Sequence, residues 1–316
     1  MIRCAIESVL AQGLACEHWI IDGGSCDGTL NIVKEYQHLR LISGADRNMY
    51  DAVNKGLRAA TGDLVILLNS DDLLMPNALR AVAAAYARDP EADGFCGSAL
   101  IVDAHCPDAV IAAYTDGTVK TPSLSYIVSG PTIQNARILR RDIYARIGGF
   151  DDRFRIAADQ EFLLRARLAG IVLRPVEAFV YCYRAHGASL TLGSQAGQHE
   201  SLVEAELIAR TKIAEERSFR RRLGYRAWHG WACGYLVARL AEKGELRRAR
   251  QTLARGFAEN PLWLLWFTRI LAYKVVRKLF GPRKPADRDS VMTAAAAAAT
   301  LVRLQAADHR FGPRPA

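Results

Sequence analysis

The chain has 316 residues, half of them apolar, enough for one large domain or one domain with a helical extension. Seven scattered cysteines with no Cys-x-x-Cys pair argue against a disulfide frame and a zinc site, and for a reducing compartment. The net charge of +9 is divided unevenly, with 21 Lys and Arg against 25 Asp and Glu over residues 1–212 and 18 against seven over 213–290.

Met1-Ile2-Arg3 leads straight into a helix pattern at 4–11 rather than a secretory leader. Apolar His18–Ile21 predicts a strand, ending in the turn Asp22-Gly23-Gly24-Ser25. A helix over 30–37, a strand over 39–42 and a helix over 46–60 follow. Leu64–Leu68 then has the length and composition of a fully buried strand. The alternation implies a mostly parallel sheet covered by helices. From 95 to 185 it weakens, with strands expected at 95–102 and 172–183 and an amphipathic helix at 159–168. Residues 200–281 read as almost entirely helical, and the tail from 282, with its alanine run, as low in complexity and disordered or helical only in part. The expected division is therefore 1–200, 201–281 and 282–316. No apolar run reaches the roughly 18 residues that cross a bilayer.

Asp22, Asp46 and Asp71-Asp72 fall just past strands, so carboxylates gather on one rim of the inferred sheet, where open α/β sheets bind ligands. Adjacent carboxylates repel unless something positive sits beside them, and hard oxygen ligands select Mg²⁺ or Mn²⁺. A polar strand-to-helix turn, with Ser70 or Asp71 capping a helix, is the plainer reading of Asn69-Ser70-Asp71-Asp72 taken alone.

Six segments in order carry a resemblance. They are Glu7-Ser8-Val9-Leu10-Ala11-Gln12, Ile21–Thr29, Asp46–Gly56, Ala60-Thr61-Gly62-Asp63 leading into Asp71-Asp72, Ile147-Gly148-Gly149-Phe150-Asp151, and Ala158–Arg165. Together they resemble the family 2 glycosyltransferases over roughly residues 4–195. The resemblance implies a GT-A-like, Rossmann-like α/β fold with a mixed sheet flanked by helices, here with a C-terminal helical extension. It implies a nucleotide-sugar donor, most simply a UDP-sugar, and a saccharide or lipid-linked acceptor in cell-surface or exopolysaccharide synthesis. Asp22 matches the carboxylate that meets the uracil, Arg47 the cation near base or diphosphate, and Asp71 the ribose contact. Asp72 matches the ligand of Mn²⁺ or Mg²⁺, which His186 also reaches in some relatives. Asp159 matches the base that deprotonates the acceptor in an inverting displacement; a helix cap is its rival reading. Gln134, Asn135 and Arg137 fall where relatives shape the acceptor pocket.

Two departures bear on activity. Ala158 stands where the family commonly has Glu before the base. The resemblance also begins after the family's first apolar strand, so either the sheet lacks an inner strand or the natural protein begins some tens of residues upstream. A catalytically inactive scaffold or carbohydrate-binding module thus stays open as the alternative. The basic, aromatic-rich segment 213–281 suits either a peripheral position on an anionic membrane, at the inner face of the cell membrane, or a helical hairpin with tryptophans in its seam. It carries no nucleic-acid-binding motif.

Overall fold

The computed structural model describes residues 1–106, 109–115, 124–129, 134–187, 189, 195–280 and 291–300. Helix α1 (Ile2–Leu10) is followed by β1 (Trp19–Asp22), α2 (Thr29–Lys34), β2 (Arg40–Ser43) and α3 (Met49–Ala59). Next come β3 (Leu64–Val65), β4 (Leu73–Leu74), α4 (Ala78–Arg88), β5 (Gly94–Asp103), β6 (Val110–Tyr114) and α5 (Leu124–Ser129). Then follow β7 (Arg137–Arg140), α6 (Arg141–Ile147), α7 (Ala158–Leu168) and β8 (Leu173–Ala185). Four helices close the main body: α8 (Gln195–Glu215), α9 (Phe219–Glu242), α10 (Leu246–Glu259) and α11 (Trp263–Phe280).

The main sheet has the order β3-β7-β5-β8-β4, with β6 also on β5. Only the β5–β8 pair within it is parallel. β5 is buried along nearly its whole length because both faces are covered, which suits its run Phe95-Cys96-Gly97-Ser98-Ala99-Leu100-Ile101-Val102. β1 and β2 form a separate parallel pair. Among the described residues no strand joins β1 to β3.

That gap corrects one expectation. The run Leu64–Leu68 is half-buried rather than fully buried, and only Leu64–Val65 forms a ladder, on β7. A cavity of about 1310 Å³ lies along Leu64–Leu68 and is lined on its other side by Trp19, Ile20 and Ile21 of β1. Strand propensity without a neighbour on that edge leaves the backbone unladdered.

Helix α1 docks through polar groups on its buried face. Ser8 Oγ accepts from Leu74 N at 3.1 Å, and Gln12 bridges Met75 O at 3.0 Å and Leu79 N at 3.2 Å. Each satisfies a buried backbone group of the segment just after the Asp71-Asp72 turn.

The C-terminal helices share one apolar core with the sheet domain, since Phe162 and Leu164 of α7 pack in a cluster with Ile208 of α8 and Trp228 of α9. Trp228, Trp231 and Trp263 are buried in the helical seam. Gly230 permits that closure, because a Cβ there would stand 2.7 Å from Trp263 O. Residues 291–300 are helical, and Ala294 and Ala298 pack against Leu100, Val102 and Cys182. Residues 281–290 and 301–316 of the expected tail lie outside the described residues. No helix among the described residues is long and apolar enough to cross a membrane.

Candidate active site

The cavity that separates β1 from β3 runs up to Asn69-Ser70-Asp71-Asp72, Asp159 and Tyr183. The turn holding the paired carboxylates is locked from beneath. Asp72 is 3% exposed; its Oδ1 accepts from Arg184 N at 2.9 Å, and its Oδ2 from Tyr181 OH at 2.8 Å and Asn69 Nδ2 at 2.9 Å. Tyr181 OH in turn accepts from Asn69 N at 3.1 Å and Asn135 Nδ2 at 2.8 Å. Burial, with the neighbouring Asp71 charge, pushes the Asp72 carboxyl up to about 6.

Asp71 faces the other way. Its side chain is 33% exposed, and Oδ2 lies 2.9 Å from His186 Nε2. The Arg184 guanidinium donates to Asp71 O and fixes the backbone between the two carboxylates. The structure therefore brings Asp71, Asp72 and His186 together as expected, but with unequal access. The more accessible pair is the half-buried Asp71–His186, whereas both oxygens of Asp72 accept hydrogen bonds inside the protein.

Asp159 lies in the first turn of α7, whose N-cap is Ala157 with no side-chain cap bond. It is thus one residue past the helix start rather than capping it. Gln160 N donates to its Oδ1 at 2.7 Å. Burial pushes its carboxyl up to about 6, against the lowering effect of the Gln160 and Tyr50 hydrogen bonds and the Arg137 charge. A carboxyl poised there accepts a proton near neutral pH more readily than an ordinary aspartate.

The loop in front of Asp159 has a clamp that sequence reasoning missed. Glu204 of α8 accepts from Arg155 N at 2.8 Å with one oxygen, and from Ile156 N at 2.5 Å and Ala157 N at 2.8 Å with the other. Tyr50 OH adds a bond to Ile156 O at 2.8 Å and accepts from Asp159 N at 3.3 Å. Tyr50 sits inside the quoted Asp46–Gly56 segment, so it was findable. Glu204 sits in an acidic helical stretch that carried no signal.

Two further segments of the resemblance meet physically. Asn54 pairs with Phe150 through both amide atoms, donating to Phe150 O at 2.8 Å and accepting from Phe150 N at 2.9 Å. Gly149 is required beside it, because a Cβ would collide with Asn54 Oδ1. Arg165 donates to Gly148 O at 3.0 Å and Gly149 O at 2.7 Å, and pairs with fully buried Glu161 at 2.9 Å. Tyr225 OH of α9 completes Glu161 at 2.7 Å.

Asp22 and Arg47 stand apart from this constellation. Asp22 accepts from Gly24 N, Ser25 N and Ser43 Oγ, and those bonds, led by Ser25, hold its carboxyl below the usual range. Its carboxylate therefore ties its own turn to β2. Arg47 is largely exposed and pairs with Asp152 and, at 3.5 Å, with Asp51. Asp46, on the same rim, pairs with Lys55. Of the acceptor-side residues, Asn135 belongs to the buried network under Asp72, while Gln134 is 4% exposed, lines the cavity and leaves both amide atoms without a hydrogen-bond partner.

Residues 1–148 match the model of the glycosyl transferase family 2 domain. That match, over just under half of the chain, supports a family 2 glycosyltransferase. The chain is similar to a PGL/p-HBAD biosynthesis glycosyltransferase of Mycobacterium tuberculosis, 24% identical over 216 residues, which cover 64% of this chain and 74% of that one. It is 33% identical over 181 residues to another M. tuberculosis glycosyltransferase, covering 53% of this chain and 64% of the relative. Among solved structures, S. aureus TarS matches with a TM-score of 0.52 at 16% identity, covering the whole of this chain and 89% of that chain. A TarS structure in complex with UDP-GlcNAc gives the same TM-score at 17% identity. These likenesses agree on a GT-A-type fold. They also place the matched family segment, 1–148, on the side of the cavity that carries Asp71, with Asp159 and His186 supplied by the chain beyond it.

Proposed function

We propose that this glycosyltransferase moves a sugar from a nucleotide-sugar donor, a UDP-sugar in the simplest case, to a hydroxyl of a saccharide or lipid-linked acceptor with inversion. The observation that carries the reading is that Asp159, a carboxyl raised toward neutrality, lines the same cavity as the half-buried Asp71 carboxylate beside His186. Asp159 takes the proton from the acceptor hydroxyl as that oxygen bonds to the anomeric carbon. The bond from that carbon to the diphosphate oxygen breaks, and the nucleoside diphosphate leaves with the electron pair. Glu204 and Tyr50 hold the loop so that the Asp159 carboxylate does not have to be ordered at the moment of reaction.

Asp71 and His186 are the residues that fit a divalent cation, offering one carboxylate and one imidazole to a hard or borderline ion such as Mn²⁺ or Mg²⁺. A cation held there would neutralise charge growing on a departing diphosphate. We assign Asp72 to holding the turn, since its oxygens already accept from Arg184 N, Tyr181 OH and Asn69 Nδ2. Gln134, buried and unpartnered, is the residue placed to bond an acceptor hydroxyl.

The membrane reading belongs to the same proposal. Leu262, Leu264, Leu265, Leu271, Val275 and Val276 are exposed along α11 and the residues just before it, among Arg269 and Lys274. Apolar side chains set among cations suit the surface of an anionic bilayer, where a lipid-linked acceptor would lie. The competing reading is a non-catalytic carbohydrate-binding role, favoured by the Asp22 carboxylate being spent on its own turn. Release of nucleoside diphosphate from UDP-, GDP- and dTDP-sugars with Mn²⁺ decides between them. Turnover lost in Asp159→Asn and Asp71→Asn supports the enzyme, and no turnover with any donor overturns it.

A further inference from the structure

Outside the lining of the cavity, three helices converge on a buried cluster that the proposed transfer reaction does not use. Glu206 of α8, His229 of α9 and Glu259 of α10 each point one atom at a common centre, and those atoms all lie within 4.8 Å of one another. His229 Nε2 is 3.5 Å from Glu206 Oε1 and 3.8 Å from Glu259 Oε2. These are too long for hydrogen bonds, and none of the three atoms has a hydrogen-bond partner among the described residues. His229 is fully buried and Glu206 is 3% exposed. Three unpartnered polar atoms facing one point in a core are costly unless something fills that point.

The outer oxygens explain why the inner ones are free. Glu206 Oε2 faces Arg255 at 3.5 Å, and Glu259 Oε1 accepts from Arg210 at 3.1 Å. Arg210 holds Glu259 by its far oxygen, and Arg255 stands as a counter-charge beside the far oxygen of Glu206, so the near oxygens face inward. Asn260, 1% exposed, lies with its amide nitrogen 3.4 Å from His229 Nδ1 and orients the ring. Partners of this outer kind are what fix ligands at a metal centre.

We infer that Glu206, His229 and Glu259 form a structural divalent-cation site, best matched to Zn²⁺ with a water as fourth ligand. One imidazole and two carboxylates are within the zinc ligand set, and tetrahedral ligands about 2.0–2.2 Å from an ion stand roughly 3.3–3.6 Å apart. Of the two separations from His229, 3.5 Å meets that and 3.8 Å needs a small contraction, while the glutamate oxygens lie within 4.8 Å of each other and close further on a bound ion. Binding at Nε2 puts the ring proton on Nδ1 and turns the Asn260 oxygen toward it, in exchange for its present bond to Arg226 O. The scarcity of paired cysteines, which spoke against a zinc site, does not reach a site built from carboxylates and histidine. Occupancy would brace α8, the helix that carries Glu204 two residues from Glu206.

The test uses the whole chain carrying Asp71→Asn, so that the cavity pair does not contribute. Co²⁺ added to the metal-free protein is expected to give the strong visible absorption of a four-coordinate centre, displaced by one equivalent of Zn²⁺, which also raises the melting temperature. Glu259→Gln changes a partly exposed ligand, so the protein still folds. It is expected to weaken Zn²⁺ by more than the roughly 10- to 100-fold that loss of an outer partner costs. His229→Gln is expected to abolish the Co²⁺ spectrum. No four-coordinate Co²⁺ spectrum, or one that survives Glu259→Gln undiminished, overturns the site and leaves a histidine ion-paired between two glutamates.

Discussion

Replacing Glu204 with Ala tests whether the helical extension positions the catalytic loop. One carboxylate accepts three backbone N–H groups in that loop, from Arg155, Ile156 and Ala157. Arg155 is exposed and water replaces its lost acceptor, whereas Ala157 is buried and Ile156 half-buried. Leaving a buried donor unsatisfied costs about 1–3 kcal/mol, so the two inner groups together cost about 2–4 kcal/mol, with the half-buried one at the low end. Denaturant unfolding measures this directly. A misplacement of about 1 Å at a reacting group can cost on the order of 100-fold in rate. In the nucleoside diphosphate release assay, kcat is therefore expected to fall roughly 10- to 100-fold in Glu204→Ala with donor KM changed little. Glu204→Gln, which keeps one acceptor oxygen, should fall between. Loss of less than about 0.5 kcal/mol together with unchanged kcat would refute the clamp, and loss of stability with unchanged kcat would refute its role in positioning Asp159.

Three other outcomes follow from the same geometry. The Asp159 carboxyl is raised from its ordinary value of 3.8 to about 6, so kcat/KM should climb as pH rises through about 6 and level off above it. The stability sign is opposite: a raised folded pKa means the native state binds the proton more tightly, so this group destabilises folding progressively as pH rises from about 4 to 6. Asp159→Asn should then be inactive yet more stable than the parent at pH 7, by a margin on the order of 1 kcal/mol in denaturant unfolding; an unchanged or lower midpoint counts against the burial argument. Asp71→Ala and Asp72→Ala should separate function from fold. The first is expected to keep stability within about 1 kcal/mol while losing activity, and the second to lose about 2–4 kcal/mol because it strands Arg184 N, Tyr181 OH and Asn69. Finally, flotation with anionic liposomes should recover the protein at low salt, and Leu264→Glu with Leu265→Glu should abolish that recovery; no flotation of the parent chain removes the membrane role.

Much of the sheet domain was legible because its signals are local. The helix at the N-terminus, the strands at 19–22, 40–43, 94–103 and 173–185, and the helix at 158–168 all announce themselves by apolar periodicity and turn residues. The order of the motifs was enough to bring Asp71, Asp72, Asp159 and His186 into one neighbourhood. What stayed hidden depends on which side chain turns inward. Asp71 and Asp72 are chemically identical in the sequence. Only the register that sets Tyr181 and Arg184 of β8 beneath the turn gives Asp72, and not Asp71, its internal donors. Glu204 was invisible for a similar reason, because its three partners are backbone groups 47 to 49 residues away.

The same logic explains why the half-buried state of Leu64–Leu68 matters to the site. A five-residue apolar run predicts burial on both sides, but propensity does not supply a neighbouring strand. With β1 and β3 unpaired to each other, the cavity between them is a slot flanked by Trp19, Ile20 and Ile21 on one side and Leu64–Leu68 on the other. The reacting groups do not hang from that slot. Asp71 is held by β8 through Arg184, and Asp159 by α3 and α8 through Tyr50 and Glu204. The proposed chemistry therefore rests on the half of the domain that is fully laddered and packed. The Asp22 edge, where the resemblance places the base of the donor, has β2 as its one paired strand among the described residues and packs on α3. Donor affinity should accordingly be more sensitive than kcat to whatever occupies the slot.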